Sequence, residues 1–333
     1  MKKLILIFFC ATFTICFTAC NSGNNKNTTI KVNEVTHSIF YAPFYVAIEG
    51  GFFESQGITI ELTNGGGSDA SMTALLSNSC DVALLGPETG IYTLIGQSQA
   101  QPVIFAQLTK RDGSFLMARN PIENFSWSSL SGSEIIAGRR GGSPAMSLEY
   151  ALNKNNLFDG QNVTLNFDVQ FNLTAAAFIA GTGDYVTMFE PTASEYVREG
   201  KAYIVASVGE ESGEAPFTCF MTKKQYFENN KDLLKRFLTA MYNAFKYIEE
   251  TPVDKIADIL IDQFPSTTKQ SIIDSLNSYI SIDAWQKDMI MTEQAFNRLQ
   301  DIMENAGELD KRVSFNALVD NTIAEETYNN LFG

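Results

Sequence analysis

Ala74-Leu75-Leu76…Cys80-Asp81…Gly86-Pro87-Glu88 and Ala177-Phe178-Ile179…Gly183-Asp184…Glu190-Pro191 are two versions of one pattern. Each runs from an apolar helix end through an aspartate into a short apolar strand, and stops at a proline beside a glutamate. Working outward, the first copy opens with an apolar strand around residues 30–35 and a helix over 43–49, which Gly50-Gly51 ends as glycine does past helix C-termini. A strand over 58–62 leads into Gly65-Gly66-Gly67-Ser68, where Ser68 is the expected N-cap of a helix to about residue 76, and a third strand covers 81–85. The second copy repeats the order. A strand over 134–137 runs into Gly138-Arg139-Arg140-Gly141-Gly142-Ser143-Pro144, with Ser143 the expected N-cap and Pro144 in the first turn, where a missing N–H is tolerated. Then come a helix to about 155, a strand over 163–169, a helix over 174–180 and a strand over 185–189.

Strand–helix alternation implies parallel sheets joined by right-handed crossovers. Two copies imply an α/β protein of two similar lobes, each a mainly parallel sheet flanked by helices. Residues from about 224 to the end read as mainly helical, with Leu233, Phe237, Met241 and Phe245 forming an apolar stripe suited to packing. In open parallel sheets ligands bind beyond the carboxyl ends of the strands. That rule selects Ser38, Phe40 and Tyr41 after the first strand, Gly66 after the second, Gly86 and Glu88 after the third, and Arg139, Gly141, Gly142, Ser143 and Glu190 at the matching places of the second copy. The free N–H groups of Gly141-Gly142-Ser143 at a helix start would suit an anion, whereas Glu88 and Glu190 would accept hydrogen bonds. Of Arg139 and Arg140, one is expected to face solvent. Asp81 and Asp184 read as structural, as do Phe44 and Tyr45.

The N-terminus carries a different message. Met1-Lys2-Lys3, an apolar run over residues 4–17 and Phe17-Thr18-Ala19-Cys20 form a secretory signal too short for a lasting membrane span. Residues 17–20 resemble the bacterial lipobox, which makes Cys20 the expected lipidated residue. The polar stretch to residue 29 then reads as a flexible tether. Loss of residues 1–19 removes two lysines and leaves 22 basic against 38 acidic residues, a balance of −16 that repels nucleic acid and anionic lipid heads. Of five cysteines, Cys10 and Cys16 leave with the signal, and Cys80 and Cys219 sit in apolar runs where two buried thiols are expected.

Catalytic signatures are absent. His37 is the only histidine, so no histidine cluster can hold a metal. There is no Gly-x-Ser-x-Gly elbow, no phosphate loop and no complete dinucleotide fingerprint. The remaining enzymatic alternative is a hydrolase using Glu88 and Glu190 as a carboxylate pair. No cofactor and no metal are expected.

Ser38-Ile39-Phe40-Tyr41-Ala42-Pro43-Phe44-Tyr45-Val46-Ala47-Ile48-Glu49-Gly50-Gly51-Phe52-Phe53, followed by Gly57-Ile58, resembles the opening of ABC-importer solute-binding proteins for taurine, alkanesulfonates, nitrate and thiamine-pyrimidine precursors. The resemblance implies the two-lobed type II periplasmic-binding-protein fold. The chain would cross between lobes near 115–120 and 210–218, giving residues 30–118 plus 214–333 as one lobe and 119–213 as the other. It also implies a monomer that closes on a small molecule, delivers it to a permease and its ATPase, and meets the membrane only through its lipid anchor outside the cell. Fungal relatives of this fold that make the thiamine pyrimidine are enzymes with a cysteine cluster, which this chain lacks. Candidate carboxylates and aromatics favour a flat, amine-bearing heterocycle such as a thiamine-pyrimidine precursor. Sulfonate, taurine, nitrate and riboflavin-like ligands are the alternatives.

Overall fold

The computed structural model describes residues 27–96, 101–170 and 173–333, so the expected signal, Cys20 and most of the tether lie outside the described residues. Among the described residues, ten strands form two five-stranded sheets. The first contains β1 (Thr28–Glu34), β2 (Ile58–Asn64), β3 (Val82–Leu85) and β4 (Pro102–Thr109). The second contains β5 (Phe115–Ala118), β6 (Glu134–Ile136), β7 (Thr164–Asn166), β8 (Tyr185–Met188) and β9 (Tyr203–Ser207). Strand β10 (Thr218–Lys223) returns to the first. The orders are β2-β1-β3-β10-β4 and β7-β6-β8-β5-β9. Position for position, the two sheets match.

Each sheet has a parallel half, β2-β1-β3 or β7-β6-β8. In each, the fourth strand runs antiparallel to both neighbours and arrives from the other lobe. The chain therefore passes between sheets over residues 110–114 and 213–217. The expected first crossing at 115–120 is too late, because Phe115–Ala118 already pairs with β8 and β9 in the second sheet. A four-residue apolar strand carries no sequence mark of which sheet it joins.

The duplicated aspartates do the same job twice. Asp81 Oδ2 accepts from the Lys31 N–H and Asp184 Oδ2 from the Glu134 N–H, each at 2.9 Å. Each aspartate's own N–H returns to the carbonyl of the same partner. Each third strand is thereby locked to the first strand of its sheet before pairing begins.

Helices cover both sheets. Phe44 packs edge-on to Phe53 and Phe220 in the first lobe's core, and the helix Lys231–Glu250 buries Phe237, Leu238, Met241 and Phe245 against it. One continuous apolar cluster runs from there into Met117, Phe178 and Val186 of the second lobe. The lobes thus lie against each other along a shared core. Cys80 and Cys219 are buried free thiols, as expected.

Candidate functional site

The 3-10 turn Ile39–Tyr41 follows β1 and is capped by Ser38, whose Oγ accepts from the Phe40 N–H. Ser38 thus has a structural task as the cap of this turn. The turn drives Phe40 into an aromatic cluster at the lobe boundary. Its ring lies 4.8 Å from Tyr279, 5.8 Å from Phe217 in the second crossing and 6.0 Å from Phe189 in the second lobe. The Trp285 indole N–H donates to the Phe40 carbonyl at 2.9 Å. Gly113, in the first crossing, is small of necessity, since an added Cβ would sit 2.6 Å from the Phe40 ring. Tyr41 is buried beside this cluster with its hydroxyl toward Thr218, and burial raises its phenol well above the ordinary range.

The two selected glutamates differ sharply. Glu88, 4% exposed, opens a helix (Glu88–Ile95) where sequence shows only a strand end. Its carboxyl folds back over Gly86, where a Cβ would lie 2.1 Å from Oε2. It faces Ser143 of the second lobe, yet neither Glu88 Oε2 nor Ser143 Oγ has a hydrogen-bond partner. Burial pushes the Glu88 carboxyl up to about 7, opposed by Ser143, its own backbone N–H and Arg139, and assisted by Asp69. Glu190, 3% exposed, is saturated instead. Oε2 accepts from the Ser194 N–H at 2.9 Å, and Oε1 from the Ser194 and Ser278 hydroxyls, each at 2.7 Å. Ser278 lies on the helix Lys269–Ser281, against the opposite lobe. Glu190 is a tie between lobes in this arrangement.

Ser143 is not the N-cap expected of it. Gly142 caps the helix Ser143–Lys154 without a side-chain bond, and Gly67 likewise caps Ser68–Leu76, so both serines stand one position further in. Ser143 is thereby free to face Glu88, and the Ser68 hydroxyl lies 3.5 Å from the Gly86 N–H. Gly66 is exposed at the rim in the left-handed region, bonded to Asn64 Oδ1. Gly141 is also left-handed, with room for a Cβ limited by Glu308 at 3.1 Å. Arg139 reaches across the lobes to Asp69 at 2.7 Å. Arg140 stays on the second lobe, stacked over Phe167 and paired with Asp159 at 3.5 Å. Both arginines are mainly exposed, so the expected division is one of direction and not of burial.

Sequence reading missed Asp112. It lies in the first crossing, is 2% exposed, and accepts at Oδ1 from the Ser114 N–H and hydroxyl at 2.6 and 2.5 Å, while Oδ2 has no partner. Burial raises it to about 6. An aspartate between two strands of different sheets has no sequence mark, because only the crossover puts it at the lobe junction. His37 is held by Glu34 at 2.8 Å and by the Gln263 carbonyl at 2.9 Å; the Glu34 bond raises its pKa. Tyr45 donates to the other Glu34 oxygen at 2.5 Å. Both are structural.

Residues 39–255 match the family described as NMT1/THI5 like. The chain belongs to the NMT1/THI5-like family. A Bacillus subtilis relative, named as binding protein YtlA, is 43% identical over 300 residues, spanning 90% of each chain. Among solved structures, this NMT1/THI5-like chain resembles the MOPS-bound alkanesulfonate-binding protein SsuA of Xanthomonas axonopodis pv. citri, at 17% identity and TM-score 0.68 over 88% of this chain and 98% of that one. It also resembles the nitrate-binding protein NrtA of Synechocystis PCC 6803, at 15% identity and TM-score 0.68 over 92% and 89%. A ligand-binding component of an ABC-type import system from Staphylococcus aureus, with zinc bound, shares 13% identity and TM-score 0.71 over 90% and 99%. These structures establish the periplasmic-binding-protein fold expected from the sequence.

Proposed function

We propose that this chain is the extracytoplasmic solute-binding component of an ABC importer, that it does no chemistry on its solute, and that the solute is a small, amine-bearing nitrogen heterocycle. A lipid on Cys20 would hold it beside the permease. The observation that carries the ligand reading is the bare Oε2 of Glu88, a carboxylate oxygen buried at the lobe boundary without a donor. A buried acceptor left unpaired costs about 1–3 kcal/mol, and more when charged, which an incoming N–H would recover. The aromatic cluster of Phe40, Phe189 and Phe217 offers ring faces at the same lobe boundary. The hydrolase alternative loses its second carboxylate, because Glu190 already accepts three hydrogen bonds.

The oxyanion reading has one feature in its favour, the helix start at Gly142–Ser143. Here that start is met by Glu88, so an oxyanion would be set against a carboxylate. A thermal-shift panel decides between them, since a ligand stabilises whatever form binds it. We expect 4-aminopyrimidines to raise the melting temperature of the lipid-free protein, Glu88→Gln to abolish that rise, and every compound to be recovered unchanged. Stabilisation by alkanesulfonates or nitrate alone would overturn the ligand reading.

A further inference from the structure

The helix Lys269–Ser281 follows the second crossing, so the chain enters it from first-lobe residues, yet one of its faces is turned to the second lobe. Ser271 accepts from Arg198 at 2.6 Å, and Asp274 pairs with the same guanidinium. Ser278 donates to Glu190 at 2.7 Å, and the Tyr279 hydroxyl accepts from the Glu190 N–H at 3.2 Å. Positions 271, 274 and 278 share one helix face, so the helix is a strap laid across the lobe boundary. Its root is the segment around Gln263, between the helix Val253–Leu260 and Thr268, which caps the strap. His37 holds that root to the first lobe.

The only histidine of the chain stands between two acceptors. Nε2 lies 2.9 Å from the Gln263 carbonyl, which can only accept, so Nε2 carries a hydrogen. Nδ1 lies 2.8 Å from Glu34 Oε1, and the other Glu34 oxygen already accepts from Tyr45. Whether its proton rests on Nδ1 or on Oε1, this contact holds one more than a neutral imidazole and a carboxylate possess. Tyr45 and Phe264 close on the ring at 4.7 Å each, and the Gln263 side chain turns away to Glu49 at 2.5 Å. Glu34 is 2% exposed, and among the described residues no lysine or arginine pairs with it. His37 is 32% exposed, within reach of solvent protons.

We propose that His37 is a proton-dependent anchor of the strap Gln263–Ser281, gripping its root when the ring is doubly protonated and releasing it when neutral, so that the lobes are held together more firmly at lower pH. A neutral ring has one N–H for two acceptors. The buried carboxylate takes it, since a charged acceptor makes the stronger bond. Nε2 then presents a lone pair to the Gln263 carbonyl, and the two repel. The Glu34 bond raises the pKa of His37, burial opposes this, and the Gln263 carbonyl adds to the rise. A raised histidine stabilises the anchored form below its ordinary 6.5, and that contribution is lost as pH rises through the folded value. The importer reading supplies only the setting, in which a solute would be retained longer in acid; the switch itself is measured without one.

The lipid-free protein is followed by NMR from about pH 5 to about pH 9, a range that spans histidine titration. One histidine gives one imidazole signal, and its midpoint is expected above 6.5. Exchange of the Phe264 amide, in the same peptide unit as the Gln263 carbonyl, reports the root. Exchange of the Glu190 amide, which donates to Tyr279, reports the far end of the strap. Corrected for intrinsic pH dependence, both are expected to lose protection at least about tenfold across the histidine midpoint. His37→Gln is expected to remove the step at both amides, and Glu34→Gln to lower the midpoint and the step together. Asp112, raised to about 6, acts electrostatically on Tyr279, so Asp112→Asn is the control that is expected to keep the step. If His37→Gln does not fold, the parent and Asp112→Asn curves still decide. A midpoint at or below 6.5, flat protection at Phe264, or a step at Phe264 that leaves Glu190 unmoved overturns the switch. So does a step that survives His37→Gln or vanishes in Asp112→Asn.

Discussion

The two lobes are built from the same strand order and the same aspartate lock, yet they treat their equivalent glutamates in opposite ways. Glu88 follows β3 and has an oxygen with no donor, whereas Glu190 follows β8 and accepts three hydrogen bonds, one of them from the other lobe. The difference arises from what each faces. Glu88 opens a helix and faces Ser143 at the start of another, yet no N–H or hydroxyl there is placed to bond its Oε2. Glu190 precedes a helix whose Ser194 turns back on it, and the C-terminal helices bring Ser278 to meet it. Duplication preserves topology but not the supply of donors. One lobe keeps an open acceptor, and the other uses its acceptor to close.

Removing the satisfied glutamate should therefore do the most damage. Glu190→Ala strands the donors of Ser194 and Ser278 and unties one contact between lobes. Loss of three hydrogen bonds to a buried carboxylate predicts destabilisation of about 4 kcal/mol. Chemical unfolding of the lipid-free protein is the measurement. A change below about 1 kcal/mol would show that Glu190 is as dispensable to folding as Glu88.

Glu88→Gln should move stability the other way, and only above a certain pH. The folded carboxyl titrates at about 7 against an ordinary 4.5. A raised carboxyl means that the folded state holds the proton more tightly. Counted from the ionised form, its contribution is fully present below pH 4.5, is lost as pH rises through 7 and is zero above that; counted from a neutral amide, the same change is a cost that appears only above pH 4.5. Asp112, raised to about 6, adds to the same slope. At pH 8 without ligand, Glu88→Gln should be more stable than the parent by up to about 3 kcal/mol, with the gain fading near pH 4.5. Parent and variant curves running parallel from pH 4.5 to 8 would mean that Glu88 is solvated, and the contrast with Glu190 would fail.

What sequence can reveal follows from the same contrast. The parallel halves are legible because Asp81 and Asp184, the apolar strands behind them and the glycines at 50–51 and 65–67 encode local geometry. Strands β4, β5, β9 and β10 are not, since their identity depends on which sheet they join after the chain crosses. Glu88 and Phe40 stand out by their place after a strand. Asp112, Ser147 and Phe217 do not, because the crossings bring them together from 112, 147 and 217, and no spacing records that. The N-caps are displaced by one residue for a similar reason. Ser143 makes no side-chain cap bond, and it faces Glu88 of the other lobe.

The smallest expected effect concerns the rim, where Arg139 and Asp69 join the lobes in the open. Both side chains are about two-thirds exposed, at 64% and 68%, so water competes with the 2.7 Å pair and both flexible chains lose freedom in forming it. A double-mutant cycle with Arg139→Ala and Asp69→Ala should give a coupling below about 1 kcal/mol. Salt should abolish it, because at about 1 M the screening length is roughly 3 Å, close to the separation itself. The Glu190 tie, being buried, should keep its effect under the same salt. A salt-resistant coupling above about 2 kcal/mol at the rim would reverse the ranking and make Arg139–Asp69, and not Glu190–Ser278, the contact that holds the lobes closed.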